Sequence, residues 1–185
     1  MSAEAVQSAV RAFLKATGAD RNPETKETPE RVAKLWLESL LNGTDVDVNK
    51  FIRKLMPTRS RDFAVITTIE THAVCPHHLL PFEVVAHVGF VPNGNTAGFS
   101  SIARYVEIAC HRLTLLEDLV AELADRLSER LGAQGVACRL VSHQGCMIYR
   151  KDKHAHARVV ASAYRGVCDS VKYRREFAAL IAASA

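Results

Sequence analysis

The sequence has 185 residues, of which 48% are hydrophobic, five cysteines and a formal net charge of +4. This length predicts one compact core with a helical appendage and leaves little room for two domains. No stretch approaches the roughly 20 apolar residues of a membrane span, and residues 1–16 lack the apolar segment of an export signal, so we expect a cytoplasmic protein with reduced thiols and no membrane partner.

The basic residues form no single tract. The densest stretch, Arg150–Arg158, mixes lysine and arginine with Asp152, His154 and His156, and its neighbouring aromatic is Tyr149. Proteins that bind single-stranded nucleic acid stack bases on several aromatic side chains. The stretch therefore predicts no nucleic-acid partner and is typical of either a loop that meets phosphate or a solvated surface loop.

The N-terminal part of the chain has helical patterns. Apolar residues recur at helical spacing over Ala3–Thr17, and Gly18 is an end signal. After a polar linker, Thr28 is typical of an N-cap and Pro29 of the first helical position of a second helix. We interpret these two helices as packing elements.

The remainder of the chain has alternating strand and helix patterns. In chain order the predicted elements are strands Phe63–His72 and Phe82–Val91, helices Ser100–Arg112 and Thr114–Leu131, strands Val136–Val141 and Arg158–Tyr164, and a helix Tyr173–Ala182. The second of these helices opens on the capping-box pattern Thr114-x-x-Glu117 and ends at Gly132. This order predicts an α+β fold with an antiparallel sheet whose helices cover one face.

A short loop between the first two predicted strands contains Cys75-Pro76-His77-His78. A thiolate and an imidazole three residues apart are ligands that a tight turn can bring to one cation, and Cys146 offers a third ligand. Three protein ligands leave one tetrahedral position of zinc open, which is typical of a catalytic site. A water bound there becomes a nucleophile at neutral pH.

A structural role for these residues remains open from the pattern alone. Cys-x-x-His is a weak signal, and Cys75 and Cys146 can equally be ordinary thiols beside solvent-facing histidines. Cys110 and Cys138 lie within apolar patterns and Cys168 follows a turn, so we interpret these three as structural.

Several motifs together resemble a known family. They are Glu27–Val32, Cys75–Phe82, Gly98–Arg104, Arg112–Glu117 and Cys146–Met147. Their order and spacing resemble GTP cyclohydrolase I over most of the chain. The resemblance implies an α+β tunnelling fold (T-fold), with a helical segment at residues 1–60 and a catalytic domain at residues 61–185, and a toroidal homo-oligomer, typically a decamer.

The resemblance also implies the chemistry. Zinc is expected on Cys75, His78 and Cys146, and zinc-activated water is expected to attack C8 of GTP. The imidazole ring then opens, formate leaves, and a new ring closes to give dihydroneopterin triphosphate. His77 is expected to donate and accept protons near the ring, a role suited to an imidazole that titrates near neutral pH.

Substrate-binding roles follow from the same resemblance. Glu117 is expected to bind the guanine edge, although its residue type also fits a mere capping box. Ser100, Arg104 and Arg150 are expected to hold the triphosphate. This is physically reasonable because Ser100 lies at a predicted helix N-terminus, which favours anions, and arginine forks match phosphate oxygens.

The chain departs from the family pattern at several positions. Pro76 stands where the family usually has Glu, and Leu116 where it has Gln. Ser101 stands where a triphosphate-binding lysine is expected, which removes a positive charge from that site. These departures leave two alternatives open: a diverged paralogue that acts on another guanine base or nucleotide, or a catalytically silent ligand-binding subunit.

The family's second catalytic histidine lies two residues before the second cysteine, where this chain has Gln144. Gln cannot transfer protons, whereas His143 can. In a regular strand Gln144 shares the face of Cys146 and His143 points away. If Gly145 is an inserted bulge residue, His143 returns to the metal face. We therefore keep His77, His143 and Gln144 as catalytic candidates.

Overall fold

The computed structural model describes residues 1–149 and 156–184. The helices are α1 (Ala3–Thr17), α2 (Thr28–Leu35), α3 (Phe99–Cys110), α4 (Leu116–Leu131), α5 (Gly145–Tyr149) and α6 (Val171–Ala183). The strands are β1 (Met56–Pro57), β2 (Ala64–Val74), β3 (Pro81–Val91), β4 (Asn95–Thr96), β5 (Gly135–His143) and β6 (Val159–Gly166). Single 3-10 turns occupy Ala19–Arg21, Pro23–Thr25, Val48–Phe51 and Val167–Asp169.

An antiparallel sheet of four strands, in the order β2-β3-β5-β6, is the centre of the fold. Helices α3 and α4 lie across one face of this sheet. The small pair β1-β4 forms a separate antiparallel ribbon, which the sequence patterns did not predict. The α+β class, the antiparallel sheet and the two helices on one face are confirmed, and this is the architecture implied by the tunnelling fold.

The core lies between the sheet and the two helices. Val84, Ala86 and Val88 alternate along β3 on the face towards the helices and are fully buried. Leu119, Leu123 and Leu127 form the facing stripe of α4 and are equally buried. They are four residues apart, a spacing found on the apolar face of an amphipathic helix. Each of the buried valine and leucine side chains among them contributes about 1.5–3 kcal/mol relative to full exposure.

The opposite face of the sheet, here called the outer face, is covered at one end. Phe177 of α6 packs there against Val91 and Ala137, and the Phe63 ring meets the Phe177 ring edge-on with centroids 6.0 Å apart. Glu83 and His143 lie near the other end of this face, where the helix does not reach.

The N-terminal helices differ in how well they follow the sequence patterns. Helix α1 has the predicted bounds, with the Ser2 side chain accepting from the Ala5 backbone N–H and Gly18 at φ 70°. Helix α2 has Glu27 at its N-cap and Thr28 as its first residue, so the predicted Thr28 N-cap is wrong. It continues into a π-helical turn, Trp36–Leu40, which the periodicity did not predict.

The start of α4 also differs from the prediction. The helix begins at Leu116 with Leu115 at its N-cap and no side-chain cap. The Thr114 backbone N–H donates to Val74 O at 3.0 Å, so Thr114 is held against the edge of β2 instead. The predicted capping box is therefore wrong, and Glu117 is released from a capping role. Among the residues that the structure describes, no helix has both the length and the apolar character needed to cross a membrane.

A bulge in β2 is held by a buried histidine. The β2-β3 register shifts between Ile66 and Ile69, and Thr68 has φ 57°, which is rare for a β-branched residue. The Thr68 backbone N–H donates to His87 Nδ1 at 3.3 Å, which requires that nitrogen to be unprotonated. Burial, and then the nearby positive charge of Arg139, lower the pKa of His87 below its ordinary value.

We predict that the free energy of unfolding falls as the pH drops through about 6.5, the ordinary pKa of histidine in an unfolded chain. Because the pKa of His87 is lowered in the folded protein, the unfolded chain binds this proton first and stability is lost as the pH approaches the folded value. His87→Gln should cost about 1–2 kcal/mol at neutral pH and should reduce the slope below pH 6.5. Urea unfolding across this range measures both.

His156→Gln is the matched control, since His156 is exposed and should leave the slope unchanged. An equal slope in the wild type and in His87→Gln would contradict the role assigned to His87.

Candidate metal centre and active site

The turn between β2 and β3 is closed by its own backbone. The Cys75 N–H donates to Leu80 O, and the Leu79 N–H donates to Cys75 O, both at 2.9 Å. Leu79 adopts φ 53° to complete the turn. This tight geometry folds His78 back over Cys75, so that the Cys75 Sγ and the His78 Nδ1 are 3.7 Å apart.

Cys146 reaches this turn from the end of β5. His143 is paired with Glu83, so the end of β5 lies beside the start of β3. Helix α5 follows at once, and a Cβ built on Gly145 would lie 2.7 Å from Pro81 O and 3.3 Å from Leu80 Cβ. Glycine is therefore required for the two chain segments to approach this closely.

The three ligand atoms offered by Cys75, His78 and Cys146 lie within 4.8 Å of one another. Cys75 is buried, Cys146 is partly buried and His78 is exposed, so one side of the group faces solvent. Two thiol sulfurs and one imidazole nitrogen suit a tetrahedral zinc ion with an open position. Within residues 1–149 and 156–184 no second group of this kind is found.

The remaining cysteines lie in the core. Cys110, Cys138 and Cys168 are fully buried, and none of them forms a disulfide. Burial raises the pKa of Cys110 to about 12 and that of Cys168 to about 11, and it also raises the pKa of Cys138. They remain neutral thiols, in agreement with a structural interpretation.

Glu117 lies near the metal centre because of one bridge between elements. Val74, the residue before Cys75, is bridged to Leu113, and Thr114 donates to Val74 O. The first turn of α4 follows directly, with Glu117 exposed. Its carboxylate has no hydrogen-bond or ion-pair partner among the described residues. Leu116 points the other way and is 2% exposed in the core.

The predicted phosphate-binding residues lie elsewhere in the protomer. Ser100, Ser101 and Arg104 occupy the N-terminal half of α3, whereas the C-terminal end of α3 leads to the metal centre. Ten residues of helix place Ser100 about 15 Å from that end. Arg104 donates to Glu107 at 2.7 Å. Arg150, together with Lys151, Lys153 and His154, lies outside the described residues.

Neither geometry expected for His143 and Gln144 is found. The strand ends at His143 and Cys146 lies on a helical turn, so the backbone neither stays extended to Cys146 nor bulges at Gly145. His143 is on the outer face, where its Nε2 accepts from Arg158 Nε at 2.9 Å. The Gln144 amide donates to the Ser142 hydroxyl at 3.0 Å.

The histidine beside the metal group has a different setting. His77 is exposed, and its ring is nearly perpendicular to that of His78, with centroids 6.3 Å apart. No described residue forms a hydrogen bond with it. The His77 ring is therefore available to a ligand that approaches the solvent side of the metal group.

The sequence patterns missed a histidine pair at the edge of β2. The His72 and His111 rings stack with centroids 4.0 Å apart, and His111 Nδ1 lies 2.7 Å from Asn42 Oδ1. Burial, followed by the charge of His72, lowers the pKa of His111 to about 4. This contact ties the N-terminal segment to the end of α3, and no local pattern in the sequence signals it.

We predict that Gly145→Ala weakens retention of a bound transition metal. The added Cβ meets the Pro81 backbone, so the segment carrying Cys146 must move away from Cys75. The metal content of purified protein should fall several-fold below the wild-type value when measured by elemental analysis. Gly98→Ala is the control because its Cβ meets nothing closer than 3.7 Å; wild-type metal content in Gly145→Ala would contradict the prediction.

Comparisons with known proteins agree with the resemblance. Residues 6–182 match the family GTP cyclohydrolase I. Proteins named GTP cyclohydrolase 1 are 35% identical over 177 residues in Ralstonia nicotianae (95% of this chain, 85% of that protein) and 38% identical over 180 residues in Bifidobacterium longum (96% and 90%). An archaeosine synthase QueF-Like structure in the apo form gives a TM-score of 0.49 at 16% identity, covering 58% of this chain and 97% of that one. With nearly the whole chain matched, this protein belongs to the GTP cyclohydrolase I family and is an enzyme, a hydrolase.

Proposed function

We propose that the chain opens the imidazole ring of GTP by hydrolysis at C8, releases formate and closes the new ring to 7,8-dihydroneopterin triphosphate. The observation that carries the proposal is the grouping of Cys75, His78 and Cys146 within 4.8 Å at the same end of the sheet as Glu117. The candidate metal ligands therefore lie near Glu117, the candidate acceptor for the edge of a purine.

Zinc is the proposed cofactor. Two soft thiolates and one imidazole select zinc over the hard cations magnesium and calcium, and Cys75, His78 and Cys146 would hold it. When bound there, zinc would supply a water whose pKa is lowered towards 7. The thiolates must stay reduced to serve as ligands, which supports the cytoplasm as the working compartment.

His77 is the proposed proton donor and acceptor. It follows Cys75 in the same turn and its ring is unengaged, so it can transfer a proton to or from the purine ring. His143 lies on the outer face with its Nε2 occupied by Arg158, and we propose that it has no part in ring opening. Gln144 acts as a neutral polar neighbour, because its amide cannot transfer protons.

Glu117 is the proposed acceptor for the guanine edge. A carboxylate accepts two hydrogen bonds side by side, and guanine presents a ring N–H next to an amino group. The absence of a capping bond leaves both oxygens of Glu117 available. Leu116 is buried beneath it, and its proposed role is to fix the start of α4.

A second copy of the chain is the proposed source of the phosphate-binding residues. Ser100 and Arg104 lie on the N-terminal half of α3, whose other end leads to the metal centre, so we propose that they bind the triphosphate at the metal centre of a neighbouring protomer. Strands β2 and β6 are the edges of the sheet, and edge strands pair readily with another chain. A closed homo-oligomer built through these edges, such as the decamer expected for the family, would complete the site.

A related substrate is the second candidate, because Ser101 leaves the first turn of α3 without a lysine. A guanine nucleotide with fewer phosphates needs less positive charge there. Formate release measured on guanosine and on its mono-, di- and triphosphates separates the two candidates. The main proposal requires the highest kcat/KM with GTP and the formation of a pterin that becomes fluorescent on oxidation.

We predict that Cys146→Ala abolishes both zinc retention and formate release, since two ligands hold zinc far less tightly than three. Cys168→Ala is the matched control, because Cys168 is a buried thiol remote from the metal group and its loss should cost stability alone. Elemental analysis and a formate assay on the same preparations give the result. Stoichiometric zinc in Cys146→Ala would remove this residue from the ligand set.

We predict that His77→Gln lowers kcat by about 100-fold or more, the usual contribution of a general acid–base group, while zinc content stays at the wild-type value. His143→Gln should change kcat less than about threefold, since His143 lies on the outer face. The opposite ranking of these two variants would show that proton transfer runs through His143.

A further inference from the structure

A cleft of about 450 Å³ opens at the end of the sheet where Glu83 and His143 lie. Its polar wall contains His72, Glu83 and His143, and its apolar wall contains Leu80, Pro81 and Ile148. The volume lies within the usual range of small-molecule sites, and an apolar wall facing a few polar groups is their usual composition.

The three polar residues form a row across neighbouring strands. His72 of β2 is paired with Glu83 of β3, and Glu83 is paired with His143 of β5. Side chains at directly paired positions on one face are about 4.5–5.5 Å apart at Cβ. A carboxylate is therefore flanked by an imidazole on each side.

Each member of the row has hydrogen-bonding capacity left over. Glu83 has no hydrogen-bond or ion-pair partner in the part of the chain that the structure describes. His72 Nε2 is shielded from solvent and has no hydrogen-bond partner among the described residues, and the His72 ring is stacked on His111. His143 Nε2 accepts from Arg158 Nε, so the proton of the neutral ring is on Nδ1, and that nitrogen is a donor.

This pattern is complementary to one kind of molecule. We propose that the cleft binds a planar heterocycle whose edge presents two N–H donors followed by a carbonyl acceptor, as guanine and pterin rings both do. Glu83 would accept from the two donors, an imidazole N–H would donate to the carbonyl, and the ring would lie on the apolar wall. The site is distinct from the one proposed around Glu117 and does not depend on it.

The edge chemistry distinguishes this ligand from a metal ion. The metal-type group found among the described residues is Cys75, His78 and Cys146, and His72, Glu83 and His143 do not belong to it. Arg158 already occupies His143 Nε2. A positive guanidinium beside the ring repels a cation. The same guanidinium does not repel a neutral heterocycle that presents a donor–donor–acceptor edge.

The test is binding of guanosine and of the unsubstituted pterin 2-amino-4-oxopteridine to the zinc-loaded full chain, measured by calorimetry in a Glu117→Gln background that weakens the other site. One ligand per chain should bind, and adding Glu83→Gln should weaken binding about tenfold or more, the loss expected for one charge-assisted bond. Preference for guanosine or for the pterin identifies which source of the shared edge the cleft serves, and either supports the proposal.

Two controls make the result decisive. Glu70→Gln removes an exposed carboxylate of the same face, paired with Val85, and should leave the affinity unchanged. Inosine lacks the exocyclic amino group and should bind about tenfold more weakly than guanosine. Three results would each overturn the proposal. They are an unchanged affinity in Glu83→Gln, a loss of affinity in Glu70→Gln as large as that in Glu83→Gln, and an affinity for inosine equal to that for guanosine. The rate of formate release from GTP in Glu83→Gln should stay within twofold of the wild-type rate. The formate assay therefore tests the catalytic proposal, and the binding measurement tests the cleft.

Discussion

The close approach of Gly145 to the Pro81 backbone is the contact on which the metal group depends. Cys75 and His78 are brought together by a turn that is closed within six residues, whereas Cys146 lies on the helical turn that follows β5, about 70 positions along the chain. The antiparallel pairing of β3 with β5 brings the two segments to the same end of the sheet. Because Gly145 has no side chain, its backbone can approach the Pro81 backbone closely enough for both thiols to reach one cation.

The sheet separates two kinds of chemistry. Cys75 and Cys146 contact the core side, and the bridge from Val74 to Leu113 places the start of α4 beside them. The row through Glu83 lies on the other face, where period-two alternation along each strand puts its members. One end of one sheet thus presents thiols and imidazole to one side and a carboxylate between imidazoles to the other.

Local patterns predicted much of the fold because they report local energetics. The stripe and glycine end of α1 gave its bounds, since both signals act within the helix itself. The Thr114 capping box failed because Thr114 is pulled into a bridge with Val74, a tertiary contact that no spacing encodes. The metal ligands could be proposed from residue type, but the helical turn at Cys146 could not. It depends on how Gly145 meets a segment distant in sequence, and the same holds for the row through Glu83.

X-ray absorption at the metal edge of the protein as purified tests the central claim most directly. We expect zinc with two sulfur neighbours at about 2.3 Å and nitrogen or oxygen neighbours at about 2.0–2.1 Å, the distances of a Cys, His, Cys site with one solvent ligand. A shell without sulfur, a shell with four sulfurs, or protein free of transition metal would contradict the assignment of Cys75, His78 and Cys146 to one metal centre.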